Sequence, residues 1–201
     1  MLATGHCIAA CGTLMSADAQ TCIKSKTAAK VICLPDSVTA VEDECFRGCP
    51  VRMARITRHE QLSARALFQD CVGLRKINLP DGLKKIAEQC FQHCGIEEIA
   101  VPRSVRAIKS AAFCGCDKLK KVTFTEDSAL AEIEKSAFQA CSSLKTVALP
   151  ARLKTIGEAA FKKCASLQFV TLPENLEMIG ASCFYESGIC EIHIPSSVQA
   201  I

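Results

Sequence analysis

Fifteen cysteines and four histidines are the residues of this 201-residue chain whose types suit thiol, metal or acid–base chemistry. Three short clusters resemble ligand sets: Cys7 and Cys11 following His6, the run Cys90-Phe91-Gln92-His93-Cys94, and Cys114-Gly115-Cys116. A structural zinc site usually shows paired Cys-x2-Cys spacing, and none of the three has it. Cys45 and Cys49 repeat the spacing of Cys90 and Cys94 with no histidine between them, so that spacing has a cause other than a metal. There is no G-x-S-x-G, no G-x4-G-K-S/T and no G-x-G-x2-G, and His59-Glu60 lacks the second histidine of H-E-x-x-H. An active site must converge several groups in one pocket, and His6, His59, His93 and His193 are dispersed along the chain. No catalytic residue, metal or cofactor is expected.

The cysteines follow the phenylalanines. Phe46, Phe68, Phe91, Phe113, Phe138, Phe161 and Phe184 recur at spacings of 22, 23, 22, 25, 23 and 23 residues. Three residues after the first six stand Cys49, Cys71, Cys94, Cys116, Cys141 and Cys164, with Ser187 in the last place. Cys45, Cys90 and Cys183 precede a phenylalanine, where other copies carry Leu67, Ala112, Ala137 and Ala160. Exchange of Cys with Ala and Leu marks a position that wants a small apolar side chain, which is how a free buried thiol behaves. Disulfides between column neighbours are the competing account, because stacked coils bring such residues within bridging distance, about 5 Å. An odd cysteine total and the lack of a secretory n-region argue against an oxidising compartment.

Further apolar columns surround this anchor. Val38, Leu83, Val105, Leu130, Leu153 and Leu176 lie eight residues before a phenylalanine, and Val41, Ile86, Ile108, Ile133, Ile156 and Ile179 lie five before. After each cysteine an alternating segment follows, as in LRKINLP at 74–80 and LQFVTLP at 167–173; three copies enter it one residue sooner, at 50–57, 95–102 and 188–195. Period-two alternation is a strand. Six of the seven prolines close these segments, where a hydrogen-bond ladder ends and the chain turns. Each unit reads as strand, proline turn, a second short stretch ending in Ile or Val, and a tight helical turn carrying Phe and Cys. One such coil cannot bury its own apolar face and must stack on a neighbour.

The pattern LPARLKTIGEAAFKKCASLQFVTLP at 149–173 resembles the BspA-type leucine-rich repeats, and the resemblance extends over residues 34–201. It implies an α/β repeat fold, a right-handed leucine-rich-repeat solenoid of about 23 residues per coil. It also implies a role in adhesion or protein recognition, often at a cell surface, and no catalytic residues. About seven repeats are expected in 34–201, incomplete at the C-terminus, with 1–33 a degenerate repeat or cap in which Cys22-Ile23 echoes Cys45-Phe46. The second copy departs from the pattern: Glu60 and Ser63 take the two apolar positions before Phe68, so a distorted coil is expected there. The stretch 125–129 carries two additional residues, which a surface loop can absorb.

In each strand the residues flanking the central Ile or Val point outward. The first outward row reads Met53, Lys76, Glu98, Lys121, Thr146, Phe169 and Glu191, and the second reads Arg55, Asn78, Ala100, Thr123, Ala148, Thr171 and His193. The candidate partner-binding face therefore comprises Lys76, Asn78, Glu98, Lys121, Thr123, Thr146, Phe169, Thr171, Glu191 and His193, with Phe169 as an apolar anchor.

A net charge of +3 from interleaved acids and bases lacks the clustered basic face of a nucleic-acid binder. With no run of eighteen apolar residues, no membrane-spanning helix is expected. The expected function is protein–protein interaction, adhesion or scaffolding with an unidentified protein partner. The alternative is the recognition part of a larger enzyme or receptor, and a thiol or metal protein ranks behind both. Val198 and Ile201 face an unfinished core, so end-to-end association at the C-terminus is a further expectation. Cysteine usage and the N-terminus point to the cell interior, and the family resemblance points to the surface.

Overall fold

The computed structural model describes residues 30–34, 38–57 and 62–200, together with the backbone of 7–8, 13–15 and 21–25. At the N-terminus β1 (Cys7–Ile8), β2 (Thr13–Met15) and β3 (Thr21–Ser25) run antiparallel, and β3 pairs in parallel with β5 (Ala40–Val41). The front of the stack is formed by β4 (Val31–Cys33), β6 (Met53–Arg55), β7 (Lys76–Asn78), β9 (Glu98–Val101), β11 (Lys121–Phe124), β13 (Thr146–Ala148) and β15 (Phe169–Thr171). The back is a five-stranded parallel sheet of β8 (Lys85–Ile86), β10 (Ala107–Ile108), β12 (Glu132–Ile133), β14 (Thr155–Ile156) and β16 (Met178–Ile179). Each short stretch ending in Ile is thus a strand, and successive coils hold it in register, as in Ile108 beside Ile133.

Side chains alternate about the front strands, so Ile32, Ala54, Ile99, Val122 and Val147 are buried while their neighbours are exposed. The seven phenylalanines form one continuous stack with ring centroids 5.2–5.9 Å apart and planes within 17° of parallel. This lies in the range aromatic pairs favour. All but Phe184 are essentially inaccessible to solvent, as are the Leu/Val and Ile columns. Burial of these columns is the main driving force for stacking.

The tight helical turns expected around Phe and Cys are not helices, and no α-helix occurs among the described residues. The residues two before and two after each phenylalanine have positive φ, for example Gln89 (54°) and His93 (55°) about Phe91. A left-handed residue ends the helical path and turns its N–H outward. Gln89, Phe91 and His93 accordingly donate to the carbonyls of Ser110, Ala112 and Cys114 on the next coil, at 2.8–3.0 Å. The intervening Cys90, Gln92 and Cys94 close turns onto Ala87, Gln89 and Phe91 within the coil. The left-handed conformation costs a non-glycine residue about 1 kcal/mol, and the inter-coil ladder it creates offsets that cost by satisfying buried amides.

Departures from the repeat are absorbed locally. In the second coil Leu62 and Ala64, on either side of Ser63, fill the interior; Ser63 is exposed and Glu60 lies outside the described residues. No back strand occurs in the described part of that coil. The longer stretch at 125–129 closes as a turn, with Ser128 N–H donating to Thr125, and the buried Ser128 Oγ accepts from the Leu130 amide at 3.4 Å. The register sets Cys22 beside Val41 of the back strand, whereas a 23-residue step from Cys45 would have put it in the Phe-Cys turn.

Candidate partner-binding face

The cysteine column is a hydrogen-bonding device. The thiols of Cys71, Cys94, Cys116, Cys141 and Cys164 each donate to the carbonyl of the phenylalanine on the preceding coil, Phe46, Phe68, Phe91, Phe113 and Phe138, at 2.9–3.2 Å. A column wanting only bulk would accept Val or Ala; the acceptor explains why sulfur recurs. Burial pushes the thiols of Cys71, Cys116 and Cys164 up to about 12, and drives Cys94 and Cys141 upward as well. They are held as protonated thiols, unsuited to nucleophilic or ligand roles. Sequence reasoning found the column and its burial, and missed its acceptor.

The two metal-like clusters that lie within the described residues do not converge. Cys94 points inward to Phe68, whereas His93 Nδ1 meets the exposed Asp70 carboxylate at 2.9 Å. The hydrogen bond from His93, with a second from Arg47, holds Asp70 below the usual carboxylate range despite opposing desolvation. Cys116 is buried on Phe91 while Cys114 is half-buried beside Gln92. The side chains of His6, Cys7 and Cys11, and residues His59 and Glu60, lie outside the described residues. Among the described residues no group of three or more His, Cys, Asp or Glu is arranged to hold a metal ion. No helix there is long and apolar enough to cross a membrane.

The front sheet presents the candidate face. Register places Glu98, Lys121, Thr146 and Phe169 side by side in one row, and Ala148 beside Thr171 and Thr123 beside Ala100 in the next. Lys76 and Asn78 lie beside Met53 and Arg55, which in turn neighbour Val31 and Cys33 of β4. All of these outward residues are exposed, and Phe169 is the most exposed phenylalanine at 69%. Val31 and Cys33 extend both rows by one coil beyond the sequence reading; the KVICLP segment at 30–35 carried that signal. Glu191 and His193 are exposed but belong to no strand, so the rows end structurally at Phe169 and Thr171.

The front sheet is also divided. β4, β6 and β7 form one sheet and β9, β11, β13 and β15 another. Both this break and the loss of pairing after β15 occur where a coil with the shorter Gly-Ile lead-in follows one with the full Leu lead-in. There the chain approaches its neighbour closely: a Cβ on Gly95 would stand 2.3 Å from the Val72 carbonyl oxygen, and one on Gly188 2.5 Å from that of Ala165. At the first break a shallow concavity of about 650 Å³ opens on the front face, floored by Ala54 and Ile77 and rimmed by Arg55, Lys76, Asn78 and Glu98.

Charge is distributed unevenly along this face. Lys30, Arg52 and Arg75 are stacked at the strand entrances through Arg52 N–H to Lys30 (2.7 Å) and Arg75 N–H to Arg52 (3.0 Å). Arg75 and Lys120 both bind Glu97, at 2.8 and 2.9 Å. Lys120, and then Arg75, hold that carboxyl below its usual range. Elsewhere the coils are laced by similar exposed pairs such as Lys135–Glu158 and Lys154–Glu177, each worth little in stability.

The BspA type leucine-rich repeat region model matches residues 19–95 and 84–201, in six copies. No curated protein matches the chain. Among solved structures, a leucine-rich repeat protein from Bacteroides ovatus is 22% identical with a TM-score of 0.67, covering 98% of this chain and 60% of that one. A leucine rich cell surface protein from Faecalibacterium prausnitzii is 21% identical with a TM-score of 0.60, covering 97% and 48%. A leucine-rich repeat protein from Eubacterium ventriosum is 17% identical with a TM-score of 0.63, covering 94% and 51%. The chain thus spans about half to three fifths of the length of these structures.

Proposed function

We propose that this chain, which belongs to the BspA-type leucine-rich repeat family, is a protein-recognition module whose front sheet binds a protein partner without catalysis. The observation that carries this reading is the registered array of exposed side chains on that sheet. Glu98, Lys121, Thr123, Thr146, Phe169 and Thr171 are held in register on β9, β11, β13 and β15, and Lys76 and Asn78 stand exposed on the adjoining sheet that ends at β7. Phe169 supplies an apolar contact with small threonines beside it, and such exposed aromatics carry much of the energy of interfaces. Glu191 and His193 then serve at the edge of the surface, outside the ladder.

The family and its likeness to the Faecalibacterium prausnitzii cell surface protein favour a cell-surface setting over the cell interior that cysteine usage suggested. The longer related structures keep open the second reading, in which this array is the recognition part of a larger protein. We also propose that 1–33 caps the stack, since β3 adds to the first back strand.

The test is affinity capture from the cells that express the chain, using wild type, the front-face variant Phe169→Asp with Lys121→Glu, and the back-sheet variant Lys85→Glu. The front-face variant should lose its partner while melting at the wild-type temperature, and the back-sheet variant should keep it. Retention by the front-face variant and loss by the back-sheet variant would move the binding surface to the back.

A further inference from the structure

We infer that the notch between β7 and β9 receives an extended acidic peptide segment of a protein partner, with an apolar side chain over Ile77 and a carboxylate against Arg55 and Lys76. This rests on the front sheet being the recognition face, and it assigns both a position and a chemistry.

Three independent features meet there. First, the sheet is open: among the described residues no backbone hydrogen bond joins β7 to β9, whereas β9, β11, β13 and β15 are each joined to the next. A segment laid across the opening can supply main-chain hydrogen bonds that the neighbouring coil withholds. Second, the floor is apolar. Ile77 is only half-buried, unlike its counterparts Ile99, Val122 and Val147, and the exposed Met53 adjoins it. An apolar side chain seated there would cover surface that stacking leaves wet.

Third, the electrostatics select acids. Among the described residues Lys30, Arg52, Arg55 and Lys76 make no ion pair, whereas Arg75, Lys120, Lys135 and Lys154 are each paired between coils. Of the two carboxylates that line the concavity, Glu97 is already shared between Arg75 and Lys120, which leaves Glu98 against Arg55 and Lys76. The local field is therefore positive, and it attracts carboxylates and repels basic segments. Around Thr146, on β11 and β13, the bases without an ion pair among the described residues are two, Lys121 and Lys145.

The experiment selects a displayed library of random linear peptides on the full chain, then measures the enriched peptides by fluorescence anisotropy. The expected peptides carry Asp or Glu next to or two residues from Leu, Ile, Met or Phe. Their affinity should fall about ten-fold or more in Arg55→Glu/Lys76→Glu, fall as salt is raised, and change less than about two-fold in the back-sheet variant Lys85→Glu. Enriched peptides without acidic residues, or with affinity indifferent to the Arg55/Lys76 reversal, overturn the inference. If that second class instead depends on Phe169, the front face still binds and only the notch assignment fails. If no peptide of either class is enriched, the notch inference fails, while cell capture decides separately whether the face binds folded partners.

Discussion

Raising the pH from about 8 to about 10 should remove a large share of the stability of this protein, and the thiols should be the cause. Burial raises Cys71, Cys116, Cys164 and Cys183 from an ordinary 9.0 to about 12. Cys90, Cys94 and Cys141 are raised by the same desolvation. A thiol whose folded pKa lies above its unfolded value binds its proton more tightly in the native state. Its contribution is complete below pH 9 and is lost as the pH climbs through the window from about 9 to about 12.

The size of the loss at pH 10 depends only on the unfolded thiol, because the folded thiol stays protonated there. For an unfolded pKa of 9.0, moving from pH 8 to 10 costs about 1.4 kcal/mol per thiol. Four thiols lose about 5 kcal/mol, and native domains have only about 5–15 kcal/mol in total. The assay is the urea midpoint, followed by circular dichroism in the presence of a reductant at both pH values. A triple variant, Cys116→Ala/Cys141→Ala/Cys164→Ala, is less stable at pH 8 but should lose about 4 kcal/mol less across the same interval. A wild-type midpoint that hardly moves, or a triple variant with the wild-type pH dependence, would refute the claim that the column is buried and protonated.

Two further outcomes follow from the packing. Phe113 is stacked at 5.3 and 5.2 Å between Phe91 and Phe138 and is fully buried, so Phe113→Ala should cost about 3–5 kcal/mol in urea unfolding. Phe184, half-buried with Phe161 as its one stacking partner, should cost clearly less on the same substitution, and equal losses would contradict a stack with a distinct interior and end. Gly95→Ala forces a Cβ to within 2.3 Å of the Val72 oxygen and should destabilise by about 1–3 kcal/mol. Gly73→Ala, which meets the Val51 oxygen at 3.0 Å, should cost less, and thermal melts that rank them the other way would reject the close approach.

The recurrence of Phe, Cys, Leu and Ile at about 23 residues determined most of this molecule by itself. Buried columns in a solenoid contact their own counterparts one coil away, so a column such as Phe91, Phe113 and Phe138 is written directly into the sequence as a period. The outward rows followed for the same reason, since alternation along Lys76-Ile77-Asn78 fixes which side chains leave the core. Tertiary structure decided what composition could not encode. The Phe-Cys segment has helix-compatible residues, yet the carbonyls of the adjacent coil offer its amides better acceptors than its own turn does, so Gln89 and His93 turn left-handed and no helix forms. The acceptor of each thiol lies on another coil, out of reach of any local pattern. Whether neighbouring strands join depended on how closely two backbones met at Gly95 and Gly188, and that distance is set only when the coils are stacked.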